Sequence, residues 1–189
     1  MKIENSETLQ NLINAFTGES LARNRYIIYA KTAKKEELNL IADIFEETAM
    51  NEQEHAKLFY KKIPNGFYMP KLKYPFFFGN TYENLISASN GEQEEWEIIY
   101  KNSSQTAKEE GFDEISRLFA NIAEIEKRHS HRFRELSEQL KNGTFLKKDE
   151  LYQWICTKCG HTHIGKEPPC VCPVCEHPKE YFKLFNEKF

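Results

Sequence analysis

The first 155 residues of this 189-residue chain contain no cysteine, and all five cysteines fall between positions 156 and 175. That distribution excludes a disulfide framework spread over the fold and marks a local metal-binding module. No apolar run approaches the roughly 18 residues of a membrane span. The start, from Met1 to Glu7, is polar and lacks the apolar stretch of a secretory signal. Charge of one sign is not in excess either. The 26 Lys and Arg against 29 Asp and Glu give a formal net charge of −3, so no nucleic-acid or membrane partner is expected. These absences lead to the expectation of a cytoplasmic protein with one sizeable bundle and a small appendix.

What is present is helical periodicity. Ser6, followed by Leu9, Leu12, Ile13, Phe16, Leu21, Tyr26 and Ile27, predicts a capped amphipathic helix to about Lys34, with positions 9, 12, 16, 19, 23, 26 and 30 on its core line. Further helices are predicted from about Glu37 to Lys62, Tyr82 to Glu110 and, after a break at Gly111, Phe112 to Lys141. The third puts Leu85, Ala88, Glu92, Glu95 or Trp96, and Ile99 on one line. Pro64, Gly66, Pro70, Pro75 and Gly79 interrupt the pattern between the second and third helices. Connections of that length are uncommon in compact domains, but a ferritin-like four-helix bundle needs a long crossover at this point. The expected division is a mainly α bundle over 1–143, a linker over 144–151 and a small C-terminal metal domain over 152–189.

Within those helices, Glu52-Gln53-Glu54-His55 and Glu126-Lys127-Arg128-His129 each place a carboxylate and an imidazole three residues apart, on one helical face. Both pairs sit in gaps of apolar stripes: Ile41, Phe45, Thr48 and Phe59 around the first, and Ile115, Phe119, Ile122, Phe133, Leu136 and Leu140 around the second. Charges on a core-facing stripe are costly unless paired or bound to a metal. Gly18-Glu19 precedes the first motif and Gly91-Glu92 the second at nearly the same interval, so each helix pair supplies one Gly-Glu and one Glu-x-x-His. A glycine inside a helix suggests that something passes close to the backbone there. One Glu from each of two helices plus two Glu-x-x-His motifs is the donor set of ferritin-like dimetal carboxylate sites, and hard carboxylates with one imidazole per metal suit iron or manganese. Glu19, Glu52, His55, Glu92, Glu126 and His129 complete six ligands. Glu95 is surplus, either a rim carboxylate or a ligand used in one oxidation state. Tyr26 and Tyr100 are either core aromatics or donors to the carboxylates.

Cys156-Thr157-Lys158-Cys159 and, twelve residues on, Cys172-Pro173-Val174-Cys175 form two Cys-x-x-Cys knuckles, a strong signal for a tetrathiolate site holding iron or zinc. Tyr152, Trp154, Tyr181, Phe182 and Phe185 are expected to build a small aromatic core around it, and Cys170 is a free thiol.

Over its whole length the chain resembles a rubrerythrin. The resemblance rests on Phe16 to Tyr26, Glu52 to Lys57, Gly91 to Tyr100, Glu126 to His129 and Cys172 to Lys179. It implies two non-haem irons in a ferritin-like domain, fused to a rubredoxin-like domain with one iron. The activity it implies is a peroxidase reducing hydrogen peroxide to water in oxidative-stress defence, with His55 and Glu95 exchanging at one iron; Glu95, Tyr26 and Tyr100 are the residues expected to serve the reaction. Electrons would come from rubredoxin or an NAD(P)H-dependent reductase, and chains would pair head to tail in a homodimer or higher assembly. The alternatives are a ferroxidase that handles iron, and a non-catalytic module whose tail is a zinc ribbon. No role for Cys170 or for the loop Tyr74-Pro75-Phe76-Phe77-Phe78 follows from the resemblance.

Overall fold

The computed structural model describes residues 2–185; the last four residues expected in the C-terminal domain lie outside them. Four long helical segments make the bundle: α1 (Glu7–Lys35), α2 (Asn39–Tyr60), α3 (Thr81–Glu94) continuing through a π-turn (Glu95–Ile99) into α4 (Tyr100–Glu109), and α5 (Asp113–Lys141). Ser6 caps α1, its hydroxyl accepting from the Leu9 amide. Asn80 and Glu83 close a capping box at the start of α3. Gly111, at φ +84°, supplies the left-handed residue that ends the third segment. No helix among the described residues is long and apolar enough to cross a membrane.

The crossover between α2 and α3 is extended and tracks α1 in its own direction. Gln10 donates to the Met69 carbonyl, the Lys71 amide to Asn14, Tyr29 to the Phe77 carbonyl, and the Thr81 amide to Glu36. The strap therefore returns the chain to the end of α1 from which α3 starts, as the ferritin-like topology requires.

The bundle core has two apolar clusters. One holds Ala22, Tyr26, Tyr29, Ile41, Phe45, Leu85, Phe133 and Leu136. The other holds Leu12, Ala15, Phe59, Tyr100, Ile115, Phe119 and Ile122. On every long helix the candidate metal ligands lie between residues of the first cluster and residues of the second. Reciprocal hydroxyl-to-carbonyl bonds between Ser89 and Ser130 tie α3 to α5 beside that level.

Two core-line expectations are corrected. On α1, Phe16 and Arg23 are only half-buried, whereas Ala15 and Ala22 are inside. On the third segment Ile99 is 41% exposed and Tyr100 is buried, because the π-turn inserts one residue and rotates the following helix.

The C-terminal module is a three-stranded antiparallel sheet, β2 (Thr162–Gly165), β1 (Tyr152–Cys156) and β3 (Phe182–Leu184), with β1 in the middle. Its core is Trp154, Phe182, Cys156 and Cys172; of the other expected aromatics, Tyr152 is exposed and Tyr181 and Phe185 are half-buried outside it. Trp154 uses its indole N–H on the Gly165 carbonyl. The start of the linker is anchored to both domains: Phe145 packs on the bundle core and Leu146 on the module core.

Candidate metal centres

Glu19 on α1, Glu52 and His55 on α2, Glu92 on α3, and Glu126 and His129 on α5 are all buried and meet at one level. They form two quartets that share Glu52 and Glu126: one adds Glu19 and His55, the other Glu92 and His129. Nδ1 of His55 lies 2.8 Å from Glu52 Oε2 and 2.8 Å from Glu126 Oε1. Nδ1 of His129 lies 2.8 Å from Glu126 Oε2 and 3.2 Å from Glu52 Oε1. Each shared carboxylate thus offers one oxygen to each side, as a bridge between two cations would. Glu19 and Glu92 stand at the outer ends, 3.9 Å and 3.8 Å from the respective imidazoles.

The electrostatics fit metal ions. Burial, with Glu126 and Glu52 close by, pushes Glu19 well above the carboxylate range, and burial with Glu52 and Glu92 does the same to Glu126. Burial also raises Glu52, but the His129 and His55 rings outweigh it and hold it at about 2. Burial disfavours a charged His129, yet the adjacent Glu126 and Glu52 keep it protonated up to about 12. Glu19 Oε2, Glu52 Oε1, Glu92 Oε2, both Glu126 oxygens and His129 Nδ1 are buried and have no hydrogen-bond partner among the described residues. Orphaned oxygens and a ring nitrogen at this density are costly unless they converge on cations. The carboxylate and imidazole donors suit iron or manganese.

Around the quartets the hydrogen bonds cross between helix pairs. Tyr26 on α1 donates to Glu92 on α3, and Tyr100 on α4 donates to Glu19 on α1 at 2.5 Å. Glu19 precedes Tyr26 by seven residues and Glu92 precedes Tyr100 by eight, and the π-turn absorbs the extra residue. Burial and the nearby carboxylates raise both phenols, so each keeps its proton to donate. Three groups in this layer carry no signal in the sequence. Asn51 Oδ1 stands 3.3 Å from His129 Nε2, where it can hold the ring's orientation. Arg25 Nη2 donates to the Tyr26 hydroxyl at 3.3 Å, and its guanidinium stacks on the ring of Tyr74. No periodicity marks them, since Tyr74 stacks on Arg25 and Asn51 bonds to His129 across different segments.

Glu95 lies outside both quartets. Its carboxylate faces Gly18, and burial together with Glu92 and Glu52 raises it well above the usual range. The expected close approach at the two helical glycines holds at Gly91, where an added Cβ would meet Arg25 Nη2 at 3.0 Å. At Gly18 it does not, because the nearest atom would be Leu72 Cδ1 at 3.8 Å.

In the module, the sulfurs of Cys156, Cys159, Cys172 and Cys175 gather within 4.8 Å of one another. The Cys156–Cys175 and Cys159–Cys172 separations are 3.6 Å, near the ~3.8 Å edge of a tetrahedron with metal–sulfur bonds of about 2.3 Å. The knuckles are built alike: Gly160 and Glu176, each following a second cysteine, have φ +77° and +60° and return their amides to the Cys156 and Cys172 carbonyls. Burial raises the Cys172 thiol, but the Val174 and Cys175 amides outweigh it and lower it to about 7. Cys170 is exposed and outside the cluster.

Residues 10–137 match the rubrerythrin family model, and residues 154–183 match the model of the rubrerythrin rubredoxin-like domain. The chain is 42% identical to rubrerythrin-1 of Clostridium acetobutylicum over 99% of its own length and 98% of that protein. It is 39% identical to rubrerythrin of Nitratidesulfovibrio vulgaris over 97% of both. Among solved structures it is similar to the fully reduced, all-ferrous state of nigerythrin, with a TM-score of 0.64 and 30% identity, covering 96% of this chain and 90% of the other.

Proposed function

The chain belongs to the rubrerythrin family, and from that premise we propose that it is a peroxidase that reduces hydrogen peroxide to water at the carboxylate site with electrons passed on by the tetrathiolate. The observation that carries this reading is one chain with two buried quartets sharing Glu52 and Glu126 and, beyond a short linker, a four-sulfur cluster. When bound, iron at the shared site supplies Lewis acidity and two electrons per peroxide, and iron at the sulfurs supplies them one at a time. The protein groups hold Glu19 and Glu92 in place through Tyr100 and Tyr26, exclude bulk water with the two apolar layers, and keep protons at the tyrosine hydroxyls. Two electrons and two protons turn one peroxide into two waters, and Tyr26, backed by Arg25, is a buried proton donor hydrogen-bonded to Glu92. A ferroxidase would leave the sulfur cluster without a task. In this reading the chain divides into 1–143, 144–151 and 152–189, with Glu95 as a seventh, exchangeable ligand.

The test is stopped-flow oxidation of the anaerobically reduced protein. Oxidation by hydrogen peroxide is expected to be much faster than by dioxygen at equal concentration; a faster reaction with dioxygen would overturn the assignment.

A further inference from the structure

Beside the carboxylate site lies a cavity of about 70 Å³, bounded by Gly18, Arg25, Leu72, Tyr74, Glu95 and Tyr100. Its mouth carries the exposed Lys73 and Glu94. Its inner wall reaches the metal level through Tyr100, whose hydroxyl donates to Glu19. Arg25 is only 8% exposed, yet among the described residues Nε and Nη1 have no hydrogen-bond partner, and the buried Tyr74 hydroxyl has none either. Unpaired buried donors are rare and call for a partner. The side chain that bears them is held firmly: Gly91 makes room for the guanidinium, Tyr26 accepts from Nη2, and the rings of Tyr26 and Tyr74 flank it. Glu95 faces the same space.

Since one water needs only about 10–15 Å³ of such space, the cavity has room for a small molecule of two heavy atoms. Hydrogen peroxide fits by size and by chemistry: each oxygen accepts from N–H or O–H donors and each hydrogen can be given to a carboxylate. Dioxygen fits by size but is a poor acceptor. We propose that this cavity is an antechamber that binds hydrogen peroxide between Arg25, Tyr74 and Glu95 before it reaches the metals, and that it sets the preference for peroxide over dioxygen. The inference rests on the peroxidase reading for its purpose, but not for the binding itself.

Two substitutions probe it with little risk to folding. Tyr74→Phe removes one donor and keeps the ring on Arg25. Gly18→Ala places a methyl, about the bulk of one water, 4.0 Å from Glu95 Oε1, and alanine favours the helix over glycine. In stopped-flow oxidation of the reduced iron protein, each variant is expected to lower the ratio of peroxide to dioxygen rates by about three- to ten-fold, the worth of one hydrogen bond. A merely structural effect would slow both oxidants alike, and an unchanged ratio overturns the proposal. Crystals of the zinc-loaded protein, whose carboxylate site cannot reduce peroxide, are to be soaked in hydrogen peroxide. Two bonded oxygens between Arg25, Tyr74 and Glu95 are expected in the wild-type chain and not in Gly18→Ala. Peroxide bound only elsewhere, or not at all, refutes the antechamber, whereas density in the cavity with a wild-type protein slow toward peroxide would refute the peroxidase reading alone.

Discussion

At the scale of single residues, the central problem is a cluster of carboxylates between two apolar layers. Burial raises Glu19 and Glu126, and His129 is held protonated up to about 12, so without metal the site keeps protons at neutral pH that cations must displace. Loading the metal-free protein with ferrous iron near pH 7 is therefore expected to release protons and to weaken as pH falls. A pH indicator in weak buffer reads it directly, and no acidification on loading would show that the site was already ionised. The six quartet residues were legible because a charge in the middle of an apolar stripe is too costly to bury without a counter-charge or a metal. Arg25, Tyr74 and Asn51 were not, since the stacking of Arg25 on Tyr74 and the bond of Asn51 to His129 join residues far apart in the chain and leave no local pattern. Of the two Gly-Glu echoes, only Gly91 turned out to be sterically demanded, by Arg25.

At the scale of elements, the four long segments and the crossover followed from periodicity and from the proline-rich break. The π-turn did not, because its one extra residue is visible only by comparing the Glu19–Tyr26 and Glu92–Tyr100 intervals, which seven-residue and eight-residue spacings disguise as ordinary two-turn steps. That turn holds Glu95 away from the quartets while leaving Tyr100 and Glu92 facing inward. Deleting the exposed Glu97 is expected to restore a regular helix, preserve both tyrosine contacts and displace Glu95. It should then share the behaviour of Glu95→Ala: full iron content at the carboxylate site with impaired turnover. Iron analysis beside steady-state peroxide consumption checks this, and loss of the iron pair in either variant would make Glu95 a structural ligand. The sheet module shows a similar limit of sequence reading. Its cysteine spacing announced the sulfur cluster, but which aromatics enter a core this small depends on the strand register, which leaves Tyr152 outside and Trp154 inside.

At the scale of the whole molecule, the proposed reaction requires electrons to pass between two centres carried by one chain. From His129 to Leu140 the helix alone spans roughly 16 Å at about 1.5 Å per residue, and beyond the linker the module's turn at Lys179–Tyr181 lies against α2. A head-to-tail pair, each sulfur cluster beside its partner's bundle, would shorten the path and close on itself. Mixing Cys156→Ser and Glu52→Ala chains, each inactive alone, is expected to restore part of the activity; no recovery in demonstrated heterodimers would rule out transfer between chains. In the proposed reaction peroxide is reduced at the carboxylate site and the sulfur cluster serves it. Fully reduced wild-type and Glu52→Ala proteins, mixed anaerobically with hydrogen peroxide, should be followed by the red absorbance of the ferric tetrathiolate. The colour is expected to develop rapidly in the wild-type protein and only slowly in Glu52→Ala. Equal rates would mean that peroxide oxidises the sulfur cluster directly, contradicting the proposal.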